Sequence, residues 1–228
     1  MKTTFASIVA VAAVATSASA DLVCGWTITT AFPTGTGNVP TGVTYGVGAG
    51  DQGALTAGSS LDSVHALAAA TYTSPAGNGS QYAFSSNNWS TGDYYQASFS
   101  TLGYDTISLS WDQARSSTGP ANFELIMSLD GGSSWTTILA SYTVLQSGGG
   151  GAPGTWSSTT YNAIYSSSTS LAGAENASSV IVRFRSLVTS AASGSNRIDN
   201  VFINGNAVPA PGAIALLGLA GIVGRRRR

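Results

Sequence analysis

Three runs of this chain alternate apolar and polar residues with a period of two. Residues 106–111 set Ile107, Leu109 and Trp111 against Thr106, Ser108 and Ser110. Residues 122–129 set Phe123, Leu125, Met127 and Leu129 on one side. Residues 179–186 set Val180, Val182 and Phe184 against Arg183 and Arg185. Successive side chains of a strand point to opposite faces, so this pattern belongs to strands with one buried face. One-sided burial is the habit of antiparallel sheets, because parallel sheets are covered on both faces.

The rest of the body follows suit. Residues 23–30, 94–100, 135–142 and 198–204 read as strands. Residues 43–47, 54–57, 81–85 and 156–161 are weaker candidates, and 61–70 is ambiguous between strand and helical turn. Glycine-rich 146–153 and polar 166–176 read as loops. Many short strands without intervening helices predict an all-β chain, a two-sheet antiparallel β-sandwich spanning residues 21–206. The run Arg197-Ile198-Asp199-Asn200-Val201, and Gly92-Asp93-Tyr94-Tyr95 with Gly103-Tyr104, resemble stretches of bacterial secreted jelly-roll domains. That resemblance implies a jelly-roll-like sandwich.

Charge narrows the function. Charged residues make up 8% of the 228-residue chain, against about a quarter in ordinary domains. Lys2 and Arg225 to Arg228 lie at the ends, so the body keeps Arg115, Arg183, Arg185 and Arg197 against all ten acids. A body at −6 has no basic stripe to neutralise phosphates, which excludes nucleic acid as a partner. Cys24 is the single cysteine. No intramolecular disulfide can form, and Cys24 reads as a small buried hydrophobe of the first strand.

Both ends read as addresses. Met1-Lys2, an apolar stretch and Ala18-Ser19-Ala20 form a secretory signal peptide, residues 1–20, with signal peptidase as partner and cleavage at Ala18 and Ala20. Residues 207–228 hold Val208-Pro209-Ala210-Pro211-Gly212, an uncharged apolar run from Ala213 to Val223, and Arg225, Arg226, Arg227 and Arg228. The prolines allow a helix to begin only after them. The run of apolar residues spans roughly 16 Å as a helix, against about 30 Å of hydrocarbon. It suits a brief membrane stop better than a permanent span, with the arginines on the cytoplasmic side. This order of parts resembles the PEP-CTERM sorting signal of bacterial exported proteins, with alanine at the usual glutamate. The resemblance implies an exosortase-like sorting enzyme as partner, transient anchoring in the inner membrane, and delivery to the cell envelope or extracellular matrix.

No catalytic signature emerges, and the expectation is a non-enzymatic structural or surface role. The alternative is a carbohydrate-binding module acting on exopolysaccharide, with Trp89, Tyr94 and Trp156 as glycan-stacking residues. Asp199 and Asn200 are the one candidate metal pair, for calcium, and otherwise no cofactor is expected. His65 reads as a surface or loop histidine, because no serine stands in a Gly-x-Ser-x-Gly elbow. Glu124 and Glu175 show no link as an acid pair. Ser128 to Trp135 resembles the Asp-box hairpin, with Asp130 capping its turn.

Overall fold

The computed structural model describes residues 20–31, 37–39, 44–67 and 69–209. The expected signal peptide, up to residue 19, and the expected sorting tail from Ala210, with its apolar run and arginines, lie outside the described residues. Among the described residues no helix is long and apolar enough to cross a membrane.

Among the described residues thirteen strands fill two antiparallel sheets. They are β1 (Asp21–Trp26), β2 (Gly37–Val39), β3 (Thr44–Gly48), β4 (Ser60–Val64), β5 (Ala70–Thr73), β6 (Phe84–Asn87) and β7 (Tyr94–Phe99). There follow β8 (Tyr104–Arg115), β9 (Asn122–Ser128), β10 (Thr136–Thr143), β11 (Ser166–Ser170), β12 (Val180–Ser186) and β13 (Ser195–Ala207). The first sheet runs β11-β8-β13-β6-β5-β2, with β1 also paired to β13. The second runs β10-β9-β12-β7-β4-β3. The two-sheet sandwich is therefore as the alternation demands.

The inner faces meet in one core. Ile107, Leu109, Trp111, Ile198, Val201 and Ile203 come from the first sheet. Tyr95, Phe123, Leu125, Val182 and Phe184 come from the second. Rings form a continuous run through it. Trp89 lies 4.9 Å from Tyr95 and 5.5 Å from Phe123, and Trp111 lies 5.3 Å from Phe184. Cys24 is fully buried in the first strand.

Several boundaries differ from the sequence reading, each for a physical reason. Residues 61–70 split into β4 and the start of β5, because the pair turns from one sheet to the other. Residues 166–170, read as loop, form β11. All five residues are serine or threonine, so no alternation marks it, and backbone pairing to β8 holds it at the sheet edge. Residues 54–57 and 156–161 form no strand. Of the latter only one bridge survives, Ser157 to Thr160.

The β9–β10 hairpin closes as its residues predict. Asp130 accepts from the Ser134 hydroxyl at 2.6 Å, the Ser134 N–H at 2.9 Å and the Ser128 hydroxyl at 2.7 Å. These donors, Ser134 foremost, hold its carboxyl down to about 2. Gly131 and Gly132 take φ of 71° and 92° at the turn, where a Cβ would be strained. The Trp135 indole N–H donates to Gly132 O at 3.1 Å.

Trp89 is 1% exposed and its indole N–H donates to Ser86 O at 2.9 Å inside the core. Trp89→Ala is expected to cost about 3–5 kcal/mol of stability in urea denaturation, as large aromatic deletions do. A variant as stable as the parent would show that the ring is not a core element.

Candidate functional site

Strand β13 carries one residue more than β8 between Asp199 and Phe202, where Asp199 faces Asp112 and Phe202 faces Ser110. Asn200 takes up the extra residue with φ of 48°, a conformation asparagine tolerates better than most. The bulge lets Ile198 and Val201 both enter the core while Asp199 and Asn200 go to the opposite side. Two carboxylates thus stand opposite each other on the outer face of the first sheet.

Asn78 binds that pair to the loop above. Its backbone N–H donates to Asp199 Oδ2 at 2.8 Å, and its Nδ2 donates to Asp112 Oδ2 at 3.0 Å and to Asn162 O at 3.0 Å. Its Oδ1 accepts from Asn162 N at 2.9 Å. The Ser80 hydroxyl adds a 2.5 Å bond to Asp199. Asn200 Nδ2 donates to Asp112 at 2.8 Å, and the Ser166 hydroxyl donates to Asp112 Oδ1. Asp199 Oδ1 is left buried without a hydrogen-bond partner. Burial pushes the Asp199 carboxyl up to about 6, against the Ser80 bond that lowers it.

Beside this network lies a depression of about 300 Å³, lined by Asn78, Ser110, Asp112, Tyr161, Ser166, Asn200 and Phe202 among others. Tyr161 is 57% exposed. Its hydroxyl shares a 2.6 Å hydrogen bond with Ser166. Gly79 passes so close that a Cβ there would lie 2.9 Å from the Tyr161 Cβ. The ring is thus exposed yet fixed. Among the described residues, Ser110 Oγ and Asn200 Oδ1, on the same wall, have no hydrogen-bond partner. A larger polar groove of about 370 Å³ crosses β5, β6, β8 and β13 on the same sheet.

The stacking residues expected from sequence are disposed differently. Trp89 is in the core. Trp156 is buried in a satellite cluster with Ala83, Ala114 and Tyr165, and Arg197 covers its ring with the guanidinium carbon 4.7 Å from the centroid. Neither offers a free face to a sugar. Tyr94 is half-buried on the second sheet, where Arg183 lies 4.0 Å over its ring and 4.2 Å from Trp135. Tyr161 and Phe202, which the sequence pattern did not single out, line the depression together with Trp111. An isolated Tyr in a Ser/Thr-rich loop carries no signal until the fold sets it beside Asp112.

The calcium candidates Asp199 and Asn200 come together with Asp112, but Asn78, Asn200 and Ser166 turn N–H and O–H donors toward these carboxylates. Calcium takes oxygens. Among the described residues no group of three or more His, Cys, Asp or Glu gathers for a metal.

His65 is a correction. It is buried, not at the surface, because it continues the inward alternation of Leu61 and Ser63. Its Nε2 lies 3.0 Å from Ser86 Oγ, and its Nδ1 lies 3.2 Å from Asp93 Oδ2. The second contact has ion-pair distance without hydrogen-bond alignment. A serine, a histidine and an aspartate thus meet, but each is only 1% exposed. Ser86 contributes to the groove wall, yet its hydroxyl is tied to His65 inside the sandwich, so a substrate cannot reach it. Glu124 pairs with Arg185 at 2.6 Å, and Glu175 caps Gly173 N–H at 2.8 Å. They form no acid pair.

Of the expected sorting motif, Val208 and Pro209 are described, while Ala210, Pro211 and Gly212 are not. Val208 is 47% exposed and its N–H donates to Gly103 O at 2.8 Å. The motif therefore begins at an exposed end of β13.

No protein-family model and no curated protein matches the chain. Among solved structures it is similar to the CBM22-1–GH10 modules of Clostridium thermocellum endo-1,4-beta-D-xylanase 10B complexed with xylohexaose. Identity is 16% and TM-score 0.45, over 83% of this chain but only 29% of that one. It is similar to the family 11 carbohydrate-binding module of the cellulase Lic26A-Cel5E of Clostridium thermocellum, at 10% identity and TM-score 0.38, over 86% and 99% of the two chains. The K3 cleaved adhesin domain of Lys-gingipain from Porphyromonas gingivalis gives 11% identity and TM-score 0.42, over 80% and 98%. Similarity at this level assigns no ligand or activity to this chain.

The Asp199 shift sets a pH dependence. A carboxyl raised to about 6 in the fold keeps its proton where the unfolded chain has lost it. Its contribution to stability is full below the ordinary carboxylate value and falls as pH rises through about 6. Between pH about 4 and 7 this group should remove about 2 kcal/mol. Urea denaturation of Asp199→Asn across that range should show a correspondingly flatter profile than the parent, and matching profiles would refute the assignment.

Proposed function

We propose that this is an exported, non-enzymatic surface protein whose β-sandwich binds polysaccharide at the Tyr161 depression. The observation that carries this reading is the ring of Tyr161, exposed but held by Ser166 and Gly79, beside polar atoms that have no partner among the described residues. Sugars present apolar C–H faces to rings and hydroxyls to amides and carboxylates, and a fixed ring loses little entropy on binding. Asp112, Asn200 and Ser110 supply polar groups of that chemistry around it. We read the sandwich as jelly-roll-like. Successive strands lie in different sheets at β2–β3, β4–β5, β6–β7, β7–β8, β8–β9, β10–β11, β11–β12 and β12–β13, which supports that reading.

Delivery rests on the two ends. Signal peptidase removes residues 1–20. The Pro-x-Pro tail, its apolar run and Arg225 to Arg228 hold the protein at the inner membrane until an exosortase-like enzyme reads it. The domain is then left in the envelope or the extracellular polysaccharide. The exposed exit at Val208 supports access by such an enzyme.

Two measurements test this. Binding of the full chain to a panel of polysaccharides should reveal a saturable ligand, and Tyr161→Ala should weaken it about tenfold, the loss of one aromatic contact. The absence of any glycan ligand, or a Tyr161→Ala variant that binds like the parent, would remove the binding role. Deleting residues 208–228 should shift the protein from membrane and surface to the medium. An unchanged distribution would show that the tail is not an address.

A further inference from the structure

The larger groove has a different chemistry from the Tyr161 depression. It is about 370 Å³ in volume, and its lining includes Arg115 and Arg197 but no acid. That is unusual for a body in which acids outnumber arginines ten to four. The other two arginines are committed, Arg185 to Glu124 and Arg183 to the Tyr94 and Trp135 rings. Among the described residues neither Arg115 nor Arg197 has a carboxylate within ion-pair distance. Backbone carbonyls and one hydroxyl hold them instead. Arg115 donates to Val144 O, Ser116 O and Ser117 O, and Arg197 to Ala76 O and Ser147 Oγ.

Such contacts orient a guanidinium without neutralising it. Arg197 is further positioned by the Trp156 ring and is drawn out of water, which lowers its affinity for its proton. Asp199 acts on it only from beyond ion-pair range. Two oriented cations without counterions prefer an anionic partner, since a charge-assisted hydrogen bond from arginine is among the stronger polar contacts. Between them, the hydroxyls of Thr73, Ser193 and Ser195, which have no partner among the described residues, line the groove together with Asn87. This is a surface for a ligand with many hydroxyls and sparse negative charge. A dense polyphosphate would meet two cations and the repulsion of a body at −6.

We infer that this groove is a second binding site, for a saccharide bearing carboxylate groups, held by Arg115 and Arg197 through its acid groups and by the serine and threonine hydroxyls through its own.

The test is calorimetric titration of the full chain with an oligogalacturonate, its fully methyl-esterified form, and inorganic sulfate. The acid form should bind about tenfold or more tightly than the ester, should weaken as salt is raised, and should outbind sulfate. Arg115→Gln should weaken it by a similar factor. Because that change also removes bonds to loop carbonyls, Ser193→Asp gives an independent check. It places a carboxylate at an exposed rim position and should weaken the acid form severalfold while leaving the folded state intact. Tyr161→Ala should leave oligogalacturonate binding unchanged. Equal affinity for acid and ester, indifference to Ser193→Asp, or no binding at all would overturn the inference. Sulfate binding as tightly as the oligomer would reduce the groove to a simple anion site and overturn the saccharide assignment. Loss of binding in Tyr161→Ala would move the ligand to the other depression, overturning this inference while supporting the first site.

Discussion

The bulge at Asn200 is the constraint on which the rest of the structure depends. Strand β13 pairs with β8, β6 and β1, so an error in its register would propagate through the first sheet. A strand without the extra residue would send Asn200 into the core and Val201 out of it. With it, Ile198, Val201 and Ile203 all reach the core, and Asp199 and Asn200 both lie outside. The register that satisfies the apolar core is also the one that sets Asp199 against Asp112.

That juxtaposition is costly, because like charges opposed across a strand pair repel and burial removes their water. The loops resolve it. Asn78 supplies donors to both carboxylates, Ser80 and Ser166 add hydroxyls, and the Asp199 carboxyl rises into the range where it can hold a proton. The same bonds fasten the 74–83 and 145–165 loops to the sheet. The loops then wall two depressions of opposite character, one with aromatic rings and Asp112, the other with arginines and hydroxyls. A chain with few charges gathers several of them on one face, where each is oriented by backbone and amide groups.

The Ser86–His65–Asp93 contact shows how little connectivity means without access. The three groups are within reach of one another, but they fill the interior beside Trp89 and Tyr72. Asp93 also accepts from Ala66 N and Ser90 N, the work of an acid that shapes a turn. The arrangement stabilises the passage from β4 into β5 and presents nothing to solvent.

The period-two runs alone determined the all-β class, the inward residues of β7, β8, β9 and β12, and the Asp130 hairpin. These depend on neighbours in sequence, where side-chain direction follows from position parity. The proposed addresses at the two ends rest on local composition alone. The serine-rich edge strand β11 escaped notice because backbone pairing does not need alternation. The aromatics were legible as aromatics, but not as buried or exposed. Trp89 and Trp156 sit in loop-like sequence and yet pack inward, while Tyr161 stays at the surface. Only the tertiary structure decided which ring meets solvent, which arginines lack a counterion, and that Asp112 and Asp199, far apart in the chain, share one site. Those outcomes rest on sheet order and on the loops that cover the sheet, and both are made by contacts between residues distant in sequence.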